Sequence, residues 1–178
     1  NADLLIMGWH GRKTDHRFIL GSTLDYVIAR SPCNLVVFKD CGNKKFSNVL
    51  VPLFNSQSDG YAIGIADTLA EENGKITLME VPGVMKADTF KRNAEELSNR
   101  IPSRTLLFKR SDSSSVVTAV LEESLDYDLL VMGIDDWKRF HGSPAIPAQE
   151  TIAHRSTGSI VLVKEVKGFK ALAKRIFS

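Results

Sequence analysis

The residues best placed to do chemistry are three glycines and a serine. Gly8, Gly11 and Gly21-Ser22 spell G-x2-G-x9-G-[ST], directly after an apolar run, Leu4–Met7, and running into a helical stretch. Glycine lets a backbone approach an anion with no Cβ in the way. Loop N–H groups and those at a helix start then supply phosphate donors. In open α/β sheets the ligand crevice lies at the carboxyl ends of the strands, where this loop falls. His10 and Arg12 sit inside the motif as further candidates. The plain alternative is that these glycines serve turns and helix packing only.

Other chemistry finds less support. His10, His16, His141 and His154 show no metal-ligand spacing. Asp135-Asp136 could hold Mg²⁺ but reads more readily as an exposed acidic loop. There is no G-x4-G-K-[ST] motif, and no nucleophile–base pair can be named from spacing. The expectation is therefore a non-catalytic chain, with a slow ATPase as the remaining enzymatic option. Cys33 and Cys41 match neither a disulfide framework nor a CxxC pattern, which suggests a reducing, cytoplasmic setting.

The elements that position the glycine loop follow from hydrophobic patterning. Short apolar runs at 4–7, 35–38, 49–53, 75–81, 105–108, 129–132 and 160–163 predict buried strands. Between them, Ile63/Ala66/Leu69/Ala70 and Phe90/Ala94/Leu97/Ile101 recur at helical spacing. A third helix carries Val116, Val117, Val120, Leu121 and Leu125 behind a Ser113–Ser115 cap, and a fourth falls within 147–155. Ser58 and Asp59 are cap candidates for the first of these helices, and Gly74 its stop. Continuous apolar strands alternating with amphipathic helices predict an α/β fold, a doubly wound parallel five-stranded sheet covered on both faces.

Residues 3–39 align without a gap to residues 128–164, at a constant offset of 125 residues. Asp3-Leu4-Leu5-Ile6-Met7-Gly8 recurs as Asp128-Leu129-Leu130-Val131-Met132-Gly133. Arg30-Ser31, Val36 and Lys39 recur as Arg155-Ser156, Val161 and Lys164. Such a repeat marks two copies of one unit. The organisation expected is the C-terminal half of a first unit at 1–40, a linker at 41–47, a complete second unit at 48–165, and a basic amphipathic tail at 166–178. Opening on a strand with no initiator Met reads as the inside of a longer protein. The half unit would leave Leu4–Met7 as an open sheet edge, which is expected to self-associate unless covered. The tail carries Phe169, Leu172, Ala173, Ile176 and Phe177 on one stripe, suiting either a membrane or partner contact or packing on its own domain.

The line from Asp3 through Gly8-Trp-His-Gly-Arg and Leu20-Gly21-Ser22 to Asn34–Phe38 resembles the C-terminal half of universal stress proteins. The resemblance implies a regulatory module that binds adenine nucleotide, ATP with Mg²⁺, with Gly8, His10, Gly11, Arg12, Gly21 and Ser22 around the phosphates and ribose. It also implies association through strands Leu35–Phe38 and Ile160–Val163, joined antiparallel across a pseudo-twofold. The Val49–Leu53 opening is similar to modules fused to amino-acid or cation transporters, which would place the chain on the cytosolic face of a membrane.

Departures from the pattern matter. In the second copy Asp136, Ile146 and Pro147 stand where the first has Gly11, Gly21 and Ser22, and only Gly133 survives. An acidic pair repels phosphate, and Pro removes an N–H donor. Leu53, Phe54 and Asn55 stand where ATP-binding members carry an acidic residue after the first strand. The complete unit therefore reads as nucleotide-blind, a dimerisation or scaffold element, while the intact motif sits on the half unit.

Composition sets the remaining bounds. The chain has 178 residues, 43% of them hydrophobic, with 23 Lys+Arg against 21 Asp+Glu. That is ample for a core, and too neutral for a nucleic-acid footprint. No apolar run is long enough for a membrane helix.

Overall fold

Apolar runs of five or six residues bounded by polar turns cannot bury one helical stripe, but they can bury both faces of a strand. In the computed structural model, which describes residues 2–10, 20–84, 86–99, 101, 105–111, 113–134 and 148–166, the runs at 34–39, 48–53, 75–80, 129–133 and 159–164 are largely buried, whereas those at 4–8 and 105–110 stay largely exposed. The elements run β1 (Leu4–Gly8), α1 (Ser22–Arg30), β2 (Asn34–Lys39), β3 (Asn48–Leu53), α2 (Asp59–Leu69) and β4 (Lys75–Glu80). They continue with α3 (Ala87–Ser98), β5 (Thr105–Arg110), α4 (Val116–Ser124), β6 (Leu129–Gly133), α5 (Ala148–Arg155) and β7 (Ser159–Lys164).

All of the strands form one sheet in the order β1-β2-β7-β6-β3-β4-β5. From β3 to β7, strand and helix alternate and every pairing is parallel. That is the doubly wound five-stranded unit expected from the patterning. The sheet has seven strands because β1 and β2 continue it, β2 pairing antiparallel with β7. In that pairing Leu35, Val37 and Lys39 lie opposite Lys164, Leu162 and Ile160.

Alternation along each strand divides the core into two layers. Val49, Val51, Leu53, Ile76, Leu78, Val131, Val161 and Val163 face α2 and α3. Leu35, Val37, Leu50, Met79, Leu130, Met132, Ile160 and Leu162 face α1, α4 and α5. Asp128 ties the foot of the sheet together: its Oδ2 accepts from the N–H groups of Ser47 and Asn48, both at 2.9 Å.

Two local expectations are corrected. Ser58 stands at the N-cap of α2, but its side chain makes no cap hydrogen bond. It is drawn instead into the sheet end, where its Oγ donates to Ile134 O at 2.9 Å and accepts from Glu165 N at 3.0 Å. Gly74 does not stop α2, which ends at Leu69 with Ala70 as C-cap. It turns the chain into β4, where a Cβ would lie 2.9 Å from Glu71 O and 3.2 Å from Phe46 O. Ser115 does cap α4, accepting from Thr118 N at 3.3 Å. Gly11, Arg12, Asp135-Asp136, Ile146, Pro147 and the tail from residue 167 lie outside the described residues.

Candidate functional site

The glycine loop joins the carboxyl end of β1 to the start of α1. Gly8 ends β1 and is exposed, and a Cβ built there meets nothing within 4 Å. Trp9 turns inward and is buried, its N–H donating to Phe38 O at 2.8 Å, whereas His10 is exposed. The chain re-enters at Leu20, whose N–H donates to Asp25 Oδ1 at 2.9 Å. Gly21 follows at φ 114°, a conformation L side chains rarely adopt, and forms the N-cap of α1 with no side-chain bond. Ser22 opens the helix. Gly8, His10, Gly21 and Ser22 thus lie on the strand end and helix start that flank the crevice. The helix start is left with backbone donors and the positive end of its dipole.

The corresponding end of the second copy is closed. A Cβ at Gly133 would lie 2.9 Å from Asp59 Oδ1 and 2.9 Å from the carbonyl carbon of Ser58. Those two residues start α2 directly on top of β6. Asn55, at φ 57°, bends the β3–α2 loop across the strand ends, and Gln57 Nε2 donates to Glu165 O at 3.4 Å. The cleft left beside it, about 160 Å³, is lined by Leu53, Asn55, Ser56, Asp59, Gly60, Asn93 and Glu96. Its two carboxylates are the wrong sign for phosphate. Among the described residues no group of three His, Cys, Asp or Glu could hold a metal ion.

Contacts around the β2–β7 seam come in pairs that the repeat offset relates. Trp9 N–H donates to Phe38 O, and Ile134 N–H to Val163 O, both at 2.8 Å. Cys41 N–H donates to Ser159 Oγ at 3.1 Å, and Val166 N–H to Asn34 Oδ1 at 3.0 Å. Lys39 Nζ caps the end of α5 through Ser156 O at 2.6 Å, and Lys164 Nζ caps the end of α1 through Ile28 O at 2.6 Å. Each lysine therefore serves the opposite repeat. Trp9 breaks the symmetry: its ring meets His154 edge-on at 5.3 Å and lies 5.7 Å from Lys39 Nζ.

The same offset relates Asp25 to Glu150, and both are buried. Burial, reinforced by the Asp25 charge, pushes the Glu150 carboxyl up to about 7. Reading residues by type missed this pair, as it missed Trp9, Lys39 and Lys164. The signal that could have found them was the repeat itself, since Lys39/Lys164 and Asp25/Glu150 are matched positions.

The doubly wound sheet with helices on both faces defines a Rossmann-like α/β protein. Residues 1–39, which carry the glycine loop, α1 and β2, match the model of the Universal stress protein family. No curated protein matches the chain in sequence. A universal stress protein from Archaeoglobus fulgidus DSM 4304 superposes with TM-score 0.65 at 19% identity, covering 93% of this chain and 62% of its own. The chain thus spans less than two thirds of that protein. A universal stress protein in complex with cAMP gives TM-score 0.54 at 19% identity, over 69% of this chain and 100% of its own. A protein of unknown function from Pseudomonas aeruginosa PAO1 gives 0.53 at 13% identity, over 97% and 68%. At these identities the likeness is one of fold.

Proposed function

We propose that this chain is a non-catalytic regulatory module that binds adenine nucleotide, ATP with Mg²⁺, at the β1–α1 loop, and passes the bound state to a fused or associated partner such as a membrane transporter. The observation that carries the reading is the contrast between the two copies. Among the described residues nothing lies within 4 Å of a Cβ at Gly8, while at the matched Gly133 the backbone at the start of α2 fills the position. Gly8, Gly21 and the α1 start would hold the phosphates, with Gly11, Arg12, His10 and Ser22 in the same loop. A structure of this fold holds cAMP, which supports an adenine nucleotide as the ligand class. The second copy acts as a nucleotide-blind assembly unit in the cytoplasm, fixed to the first through β2 and β7.

Calorimetric titration of Mg·ATP into this chain tests the reading. The expected result is weak saturable heat that Gly11→Asp abolishes, and tighter binding when the chain is extended upstream through a complete first copy. No heat from either form would leave assembly as the function. The closed second site is the observation that favours this alternative.

A further inference from the structure

The glycine loop is held down at its start by one side chain. Gly8 and His10 are exposed, while Trp9 between them is 6% exposed. Two residues on from Met7, Trp9 points to the same face of the sheet and joins the core layer of α1, α4 and α5. The antiparallel seam decides what it meets there. Strand β2 runs against β7, so Phe38 and Lys39 at the end of β2 lie opposite Val161 and Ile160 at the start of β7. The last turn of α5 leads into β7 and is thereby brought beside the end of β1, where Gly8 pairs with Phe38. There the Trp9 ring meets His154 edge-on at 5.3 Å, with the planes at 87°. Lys39 Nζ lies 5.7 Å from the same ring and donates to Ser156 O just past the helix. At the matched end of the seam Ile134 stands for Trp9 and Ala29 for His154, so no ring pair can form.

We propose that Trp9 is a positioning residue that docks the glycine loop on the last turn of α5, making α5 the element through which occupancy of that loop reaches the second copy. The ligand's identity rests on the proposed nucleotide reading; the docking rests on the Trp9, His154 and Lys39 cluster alone. The loop is tied down at both described ends. At its far end Leu20 N–H is held by Asp25 of α1, within the same copy. At its near end Trp9 N–H is held by Phe38 O at 2.8 Å, which fixes the backbone that carries the ring. The ring then joins that backbone to a helix of the other copy. A ligand that orders the loop therefore bears on α5, and a change in α5 alters affinity for that ligand by the same factor.

Filling the core does not account for a tryptophan here. Ile134 is 2% exposed at the matched position and makes the matched backbone bond to Val163 O, so an aliphatic side chain suffices for burial. An edge-to-face pair adds a preferred direction to the contact, and a cation near the ring face adds attraction that an aliphatic group lacks. Both partners, His154 and Lys39, belong to the seam rather than to β1.

The test uses the full chain carrying Trp137→Phe, which leaves Trp9 as its single tryptophan. Amide hydrogen exchange is compared for His154→Ala, Trp9→Ile and Trp9→Phe in that background. His154 is half-buried on α5, so its truncation leaves the core layers intact even where a Trp9 variant folds poorly. His154→Ala and Trp9→Ile are each expected to speed exchange at residues 8–10 about two- to tenfold, the worth of an edge-to-face ring pair. Trp9→Phe should restore most of that protection, Ile134 should not respond, and His154→Ala should shift the Trp9 emission. Mg·ATP is expected to slow exchange in Thr151–Ser156 together with the glycine loop, and His154→Ala to abolish the α5 response and weaken binding. Unchanged exchange at residues 8–10 would overturn the proposal, as would uniform acceleration through the sheet or a Trp9→Phe variant no better than Trp9→Ile. Protection of the loop by Mg·ATP with α5 unaffected would overturn it too. If residues 8–10 respond as expected and no form binds Mg·ATP, the docking is upheld and the nucleotide reading fails.

Discussion

At the residue scale, two positions have their chemistry set by geometry, one of them legible in a local pattern and the other not. Glu150 is 9% exposed and near Asp25, and its carboxyl is raised from the ordinary 4.5 to about 7. The folded state therefore holds that proton more tightly than the unfolded chain. The associated stability is present below pH 4.5, declines as pH rises to about 7, and is flat above. Glu150→Gln is expected to raise the melting temperature at pH 8 and leave it unchanged near pH 4. The gain at high pH should be on the order of 1–3 kcal/mol, read by denaturant titration across pH. A variant that is equally destabilised at both pH values would show that the carboxylate has a structural partner instead. Gly21 is the second position. At φ 114° an added Cβ is strained, so Gly21→Ala should lose roughly 1 kcal/mol and expose α1 to faster exchange. The glycine was legible because its spacing from Gly8 and Gly11 is a pattern. The carboxylate pair was not, because Asp25 and Glu150 meet only after α1 and α5 pack on the same face of the sheet.

At the element scale, strands and helices were read well and their ends less well. Every apolar run became a strand; those at the centre of the sheet are buried on both faces, whereas the edge strands β1 and β5 stay largely exposed. Ser58 shows where local reading stops. Its type suits an N-cap, yet a nearby carbonyl at Ile134 and the amide of Glu165 claim its hydroxyl, and both come from distant parts of the chain. The seam between β2 and β7 carries a prediction of its own. Lys164 is buried and donates to Ile28 O, so it ties the end of α1 to a strand more than a hundred residues away. Lys164→Met keeps the stem and removes the donor. It should cost about 1.5–3 kcal/mol in equilibrium unfolding, the value of a bond to a charged group. Lys39→Met, at the more exposed matched position, should cost less. Equal costs would argue against burial as the source of the difference.

At the scale of the whole molecule, residues 3–39 and 128–164, which align at a constant offset, share one sheet and meet different surroundings. In the first segment Gly8 ends an exposed edge strand. In the second, Ser58 and Asp59 cover Gly133, and β3, β4 and β5 continue the sheet. The repeat was visible at a constant offset in sequence, and so was the loss of Gly11 and Gly21 equivalents in the second copy. The means of closure was not visible, because it depends on α2 starting against Gly133, a contact between residues far apart in the chain. No helix among the described residues is long and apolar enough to cross a membrane.

The central claim is that nucleotide is held by the first copy and refused by the second. Amide hydrogen exchange with and without millimolar Mg·ATP tests it most directly, because both loops are read in one experiment. The account predicts slowed exchange from Gly8 through Leu24 and no change from Gly133 through Glu150. Protection at the second loop, or at neither, would contradict it.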